Sequence, residues 1–191
     1  MDSNPLWSPD GKVLAYKIAP AGGAYSLTGQ NFITFPEGWS NPVIHTWQGP
    51  ESVQMNGWSP DGSRIVYTAE IVTDSSGKDR VSYVAMASDL HLQDGVAKAV
   101  NHVFLTDGHT LGDRGPLFSP DGTKVVCWAW NQSSRATLWL YDFTSKTARE
   151  LTLNGQDMYP AWSPDGKFLL FESIRDGGAD LWVMEVEPAK G

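Results

Sequence analysis

The chain is poor in positive charge. Only 14 Lys and Arg stand against 22 Asp and Glu in 191 residues, for a net charge of −8, and no basic run is longer than one residue. Neutralising a phosphate backbone needs clustered cations, so nucleic acid is not an expected partner. A single cysteine, Cys127, excludes a disulfide framework within the chain. No apolar run approaches membrane-spanning length, and the opening Met1-Asp2-Ser3-Asn4-Pro5 is no charged-then-apolar leader. The compartment stays unassigned: a cytoplasmic protein and one whose leader was removed from a longer parent, the cut falling near Asp2, both fit. His45, His91 and His102 lack the spacings of a zinc site. Asp74–Asp79 and Asp176–Asp180 read as turns, without the alternating oxygen ligands of a calcium loop. With no Gly-x-Ser-x-Gly elbow and no phosphate loop either, the sequence assigns no catalytic residue, no metal and no cofactor.

What is present is a repeat. Trp-Ser-Pro-Asp-Gly-Lys at 7–12 returns as Trp-Ser-Pro-Asp-Gly-Ser at 58–63, Phe-Ser-Pro-Asp-Gly-Thr at 118–123 and Trp-Ser-Pro-Asp-Gly-Lys at 162–167. The prolines, at 9, 60, 120 and 164, are 51, 60 and 44 residues apart. One turn signature per period of that size marks a repeat architecture. The turn has a mechanism: Pro presets φ, Asp bonds nearby backbone, and Gly accepts a positive φ.

Strand-like runs follow each turn: Val13–Tyr16, Arg64–Tyr67, Lys124–Cys127 and Phe168–Phe171. Third strands are expected at Leu138–Tyr141 and Leu181–Met184, with fourth strands ending at Leu105-Thr106 and Leu151-Thr152. Four short antiparallel strands per period make a propeller blade. The expected fold is therefore all-β, a single β-propeller domain over 1–191. Its four-stranded blades fall near 2–52, 53–108, 109–156 and 157–191, the last of them incomplete. Three arrangements stay open: a four-bladed ring, a homodimer whose two chains form an eight-bladed ring, and a piece of a larger propeller. Nine Trp are present, and Trp7, Trp58 and Trp162 recur at one repeat position. That recurrence predicts blade-to-blade packing, where a buried Trp hides roughly 150–250 Å², about 4–6 kcal/mol gross. Cys127 stands where other repeats have Tyr16, Tyr67 and Phe171, so it is expected to be buried as a small hydrophobe.

The stretch Asp157-Met158-Tyr159-Pro160-Ala161-Trp162-Ser163-Pro164-Asp165-Gly166-Lys167, followed by Phe171-Glu172-Ser173, Arg175-Asp176-Gly177 and Asp180–Met184, resembles the WD-like repeat of TolB-type β-propellers. The match is specific in repeats three and four. Repeat one matches from Asp2 to Tyr16 and then departs. Repeat two has Asn56 in place of the Pro and Val53 in place of the Asp. The resemblance implies a non-catalytic binding module that holds a protein segment or small ligand at its channel face. Two other readings stand beside it. One is a propeller enzyme acting on carbohydrate, a polysaccharide lyase or hydrolase. The other is the gating propeller of a serine peptidase.

In a propeller, the loops entering each innermost strand and leaving each second strand share one face, where function concentrates. The residues expected there are His109, Asp113 and Arg114 from repeat three, Trp130 from the same repeat, and Tyr159 and Arg175 from repeat four. His109, Asp113 and Arg114 have the chemistry of an acid/base, an orienter and an anion clamp. Against that, Asp113 matches Asp157 and Asp2 as the repeat's own turn residue. Trp128 and Trp130 share one strand face, which makes them either a stacking platform or packing for the neighbouring blade. Trp39 and Trp47 offer a second aromatic patch.

Overall fold

Each Ser-Pro-Asp-Gly copy builds the same turn, and that turn directs the strands on either side. In the first, the Ser8 hydroxyl donates to Asp10 Oδ1 at 2.7 Å and accepts the Val13 amide at 2.9 Å. Ser59, Ser119 and Ser163 donate to Asp61, Asp121 and Asp165 in the same way. Gly11, Gly62, Gly122 and Gly166 take φ of 69°, 73°, 71° and 72°, a region other residues enter only with strain.

In this computed structural model, residues 3–17, 30–34, 43–48, 53–73, 80–106, 112–131, 133–153, 155–175 and 177–186 are described. They form fifteen strands and no helix. The first blade is β1 (Ser3–Trp7), β2 (Val13–Lys17), β3 (Gln30–Thr34) and β4 (Val43–Gln48). The second is β5 (Val53–Trp58), β6 (Arg64–Thr73), β7 (Arg80–Gln93) and β8 (Val96–Phe104). The third is β9 (Gly112–Phe118), β10 (Lys124–Trp130), β11 (Ala136–Asp142) and β12 (Thr147–Glu150). The fourth has three strands, β13 (Gln156–Trp162), β14 (Phe168–Arg175) and β15 (Gly178–Glu185). Pairing within every blade is antiparallel, so the chain has the all-β propeller fold that its repeats predict, with three strands of the fourth blade among the described residues.

One pairing crosses between blades. β4 and β8, the outer strands of the first two blades, run parallel with Thr46 opposite Val96 and Gln48 opposite Lys98. The Thr46 amide donates to the Gly95 carbonyl at 2.8 Å. β7 and β8 are long, so the β-turn joining them reaches past the second blade to meet β4.

Blade-to-blade packing follows strand alternation. At the third junction, the row Leu117–Val126–Leu140 meets the row Trp162–Leu169–Met184. The repeat Trp also bonds across: Trp58 Nε1 donates to the Leu6 carbonyl at 3.4 Å, and Trp162 Nε1 to the Leu117 carbonyl at 3.2 Å. Cys127 is fully buried among Val66, Ala85 and Val125, and burial, reinforced by the charge of Asp113, pushes its thiol up.

The turns carry a pH dependence. The Ser hydroxyl, then the backbone amide two residues on, holds Asp10, Asp61 and Asp165 below the ordinary carboxylate value of 3.8. At Asp121, burial opposes the shift and the Ser119 and Thr123 bonds outweigh it. A lowered folded-state pKa gives stability that is present above about pH 4 and lost as pH falls through the folded value. Urea midpoints should therefore hold level from pH 7 to about 4 and drop below it. Asn at all four aspartates should flatten that drop, and an unchanged slope would remove the turns as its cause.

Candidate functional site

The strand starts β9 and β13 and the strand ends β10 and β14 lie at one end of their blades, and five of the six expected residues lie there. His109 lies outside the described residues, as does Trp39; of Trp47 only the strand position in β4 is described.

Two of the five are engaged inside the fold. Asp113 is buried, and its Oδ2 accepts the Ala85 amide at 3.1 Å and the Thr106 hydroxyl at 3.0 Å. Its carboxylate thus ties β9 to β7 and to the end of β8. Asp157, at the matching place in the fourth blade, is likewise buried but takes a different partner. Arg175 Nη2 lies 3.2 and 3.3 Å from its two oxygens, while Arg175 Nε donates to Ser173 Oγ at 2.7 Å. The guanidinium also sits 4.5 Å from the Trp182 ring centroid, a cation–π distance. Gly155 makes room for this pair: a Cβ there would collide with the Asp157 carboxylate and the Ser173 hydroxyl.

The other three remain at the surface or partly so. The Arg114 guanidinium lies 3.5 Å from the Tyr83 ring centroid. Tyr159 is 64% exposed, with φ of 53°, and its ring meets Trp128 edge-on at 5.7 Å. Trp128 in turn meets Trp130 edge-on at 6.0 Å. Trp128 is buried against the fourth blade with Leu138 and Phe171, and Trp130 packs half-buried beside it. The pair therefore serves mainly as packing, and Tyr159 extends it outward. Gly115, at φ 56°, passes close to the Trp128 indole. Gln156 fixes the neighbouring hairpin: its Oε1 accepts the Ala136 amide at 2.9 Å and its Nε2 donates to the Ser134 carbonyl at 3.4 Å.

Sequence reasoning missed several partners. Tyr83 beneath Arg114 carries no repeat signal. Trp182 beneath Arg175 was legible only as a strand residue. A groove of ≈ 370 Å³ opens beside this pair, lined by Leu153, Phe171, Arg175, Trp182 and Val183 among others.

A second concavity, ≈ 250 Å³, lies at the opposite end between blades two and three. There Arg64 pairs with Asp89 at 3.0 Å and stands 4.7 Å over the Phe143 ring, while Asn101 donates to Asp89 at 2.7 Å. Nearby, Ser88 Oγ is 2.7 Å from His102 Nδ1 and 2.8 Å from the Tyr67 hydroxyl. Ser88 and Tyr67 are buried and His102 is exposed, and Ser88 lines this concavity; the contacts satisfy the buried hydroxyls of Ser88 and Tyr67. Burial pushes the Tyr67 phenol up. No group of His, Cys, Asp or Glu suited to a metal ion occurs among the described residues.

The TolB beta propeller domain family matches residues 48–190. An uncharacterized protein of Agrobacterium fabrum is 28% identical over 141 residues, which cover 74% of this chain and 42% of that protein. A dipeptidyl-peptidase 5 of Porphyromonas endodontalis is 26% identical, with 91% of this chain and 30% of the peptidase covered. The chain thus spans less than half the length of either relative. The crystal structure of TolB from Acinetobacter baumannii superposes with a TM-score of 0.52 at 18% identity, covering 97% of this chain and 52% of that one. That likeness speaks to the fold alone.

Proposed function

The chain belongs to the TolB beta propeller domain family, and from that premise we propose that it is a non-catalytic module that binds a protein segment at the channel-face end of blades three and four. The observation that carries this reading is the exposed Tyr159 ring set edge-on against the Trp128–Trp130 pair. Such a shelf offers flat apolar area held by packing, with little rotamer freedom to lose on binding. Arg114, already stacked on Tyr83 in the third blade, adds a cation for a peptide carboxylate. His109 stands three residues ahead of Gly112 in the sequence, and its part in this surface is proposed from that position alone.

Calorimetric titration with a proline-rich decapeptide and, separately, with maltohexaose tests it. Saturable peptide binding is expected, weakened roughly tenfold or more by Tyr159→Ala, as for a central aromatic contact. Binding of the hexasaccharide alone would replace this reading with the carbohydrate alternative. A peptide affinity indifferent to Tyr159 would overturn the assigned surface. The similarity to a dipeptidyl-peptidase favours, as second reading, a propeller that gates a peptidase domain. In that case the peptide would bind without being cleaved by this chain.

A further inference from the structure

The concavity between blades two and three is bordered by two departures from regular backbone. In β8, Asn101 and His102 stand opposite Ser88 alone, because the register slips between the pairs Ala87–Val103 and Asp89–Val100. The result is a β-bulge with Asn101 at φ 53°, the kind of irregularity that re-aims side chains and recurs beside binding sites. In the third blade, Lys146 lies in the β11–β12 hairpin at φ 56°. Both conformations favour glycine, so a side chain held in either is strained. Two of the five non-glycine residues with positive φ among the described residues thus line this one cavity.

Its lining combines apolar groups with a surplus of donors. Ala87 and Val103 stand beside the Tyr141 and Phe143 rings, which meet edge-on at 5.0 Å. Asp89 is committed as an acceptor, Oδ1 to Arg64 Nε at 3.0 Å and Oδ2 to Asn101 Nδ2 at 2.7 Å. Asp61, whose charge reaches Arg64, accepts from Ser59 and Ser63, and Asp142 pairs with Lys124. Among the described residues, neither Nη group of Arg64 has a hydrogen-bond or ion-pair partner, and the Lys146 ammonium has none either. The capacity left over is for an acceptor.

We propose that this cavity binds a small organic carboxylate with a flat apolar body, the carboxylate held by Arg64 and Lys146 and the body against Ala87, Val103 and Tyr141. The planar guanidinium fork matches a carboxylate with two parallel bonds. Its place over the Phe143 ring, at 4.7 Å, and its bond to Asp89 fix that fork before a ligand arrives. Size limits the body. An apolar cavity of about 150 Å³ takes a benzene ring, so ≈ 250 Å³ holds one ring and a short acid arm. The site lies at the other end of the blades from Tyr159 and is separate from the peptide surface.

Titrating the whole chain with hydrocinnamate, followed by two-dimensional amide NMR, reads both affinity and place. Saturable shifts are expected on Ala87–Asp89, Asn101–Val103 and Tyr141–Lys146, with a Kd of about 1 mM or tighter for a ligand of this size. Hydrocinnamide keeps the shape without the charge and should bind roughly tenfold more weakly. Lys146→Gly should weaken hydrocinnamate roughly fivefold while the melting temperature stays level or rises, because glycine suits the left-handed turn. Lost binding in that variant is then separate from lost fold. Lys167→Gln, which removes a cation from the turn of the fourth blade, should leave the affinity unchanged. No saturation by about 20 mM, shifts centred elsewhere, equal binding of acid and amide, or indifference to Lys146→Gly would each overturn the proposal. So would inorganic phosphate binding as tightly as hydrocinnamate, which would leave the apolar lining without a role.

Discussion

Arg175→Ala is expected to lower the unfolding free energy by about 3 kcal/mol, near the low end for breaking a buried ion pair from one side. The Asp157 carboxylate is fully buried, and the Arg175 guanidinium faces both of its oxygens. Removing the arginine leaves that buried carboxylate without the cation beside it. Arg175 itself keeps 26% of its side chain exposed, so some water reaches the gap and the loss stays below the upper end of the range. The substitution also removes the donor to Ser173 and the cation over Trp182. Asp157→Asn added to Arg175→Ala should recover at least half of the loss, since a neutral amide costs less to bury than an unpaired carboxylate. Urea unfolding followed by Trp fluorescence measures all three proteins. A loss below about 1 kcal/mol for Arg175→Ala would mean that the pair behaves as a surface contact.

That pair shows where the sequence stopped being readable. Asp157 was recognisable as the repeat's own aspartate, because it keeps a fixed distance from Trp162. Its partner was not, because Asp113 at the same repeat position is held by Thr106 and the Ala85 amide instead. The two blades differ in what stands opposite, Ser173 in one and Ala129 in the other, and no spacing rule announces that difference. The turns were fully legible since every bond in them lies within six residues. Strand alternation correctly put Trp128 and Trp130 on one face, yet which blade they pack against is a tertiary fact. The parallel β4–β8 contact joins strands from two blades and depends on strand length. Leu169 and Leu170 likewise read alike in sequence, and which of them packs against the third blade is a tertiary fact.

Those neighbouring leucines give the second large effect. Leu169→Ala should cost about 3 kcal/mol, within the range for truncating a fully buried leucine. Leu169 is 0% exposed, between Val126 and Leu140 on one side and its own sheet on the other. The lost methyl groups and the cavity they leave both count. Leu170→Ala, one residue along the same strand, should cost under about 1 kcal/mol, because its side chain is 40% exposed. Urea unfolding followed by Trp fluorescence measures both variants. Equal costs for Leu169→Ala and Leu170→Ala would mean that the two faces of β14 are packed alike. Unequal costs would mean that the Leu169 face alone carries the junction between blades three and four, as its contacts with Val126 and Leu140 require.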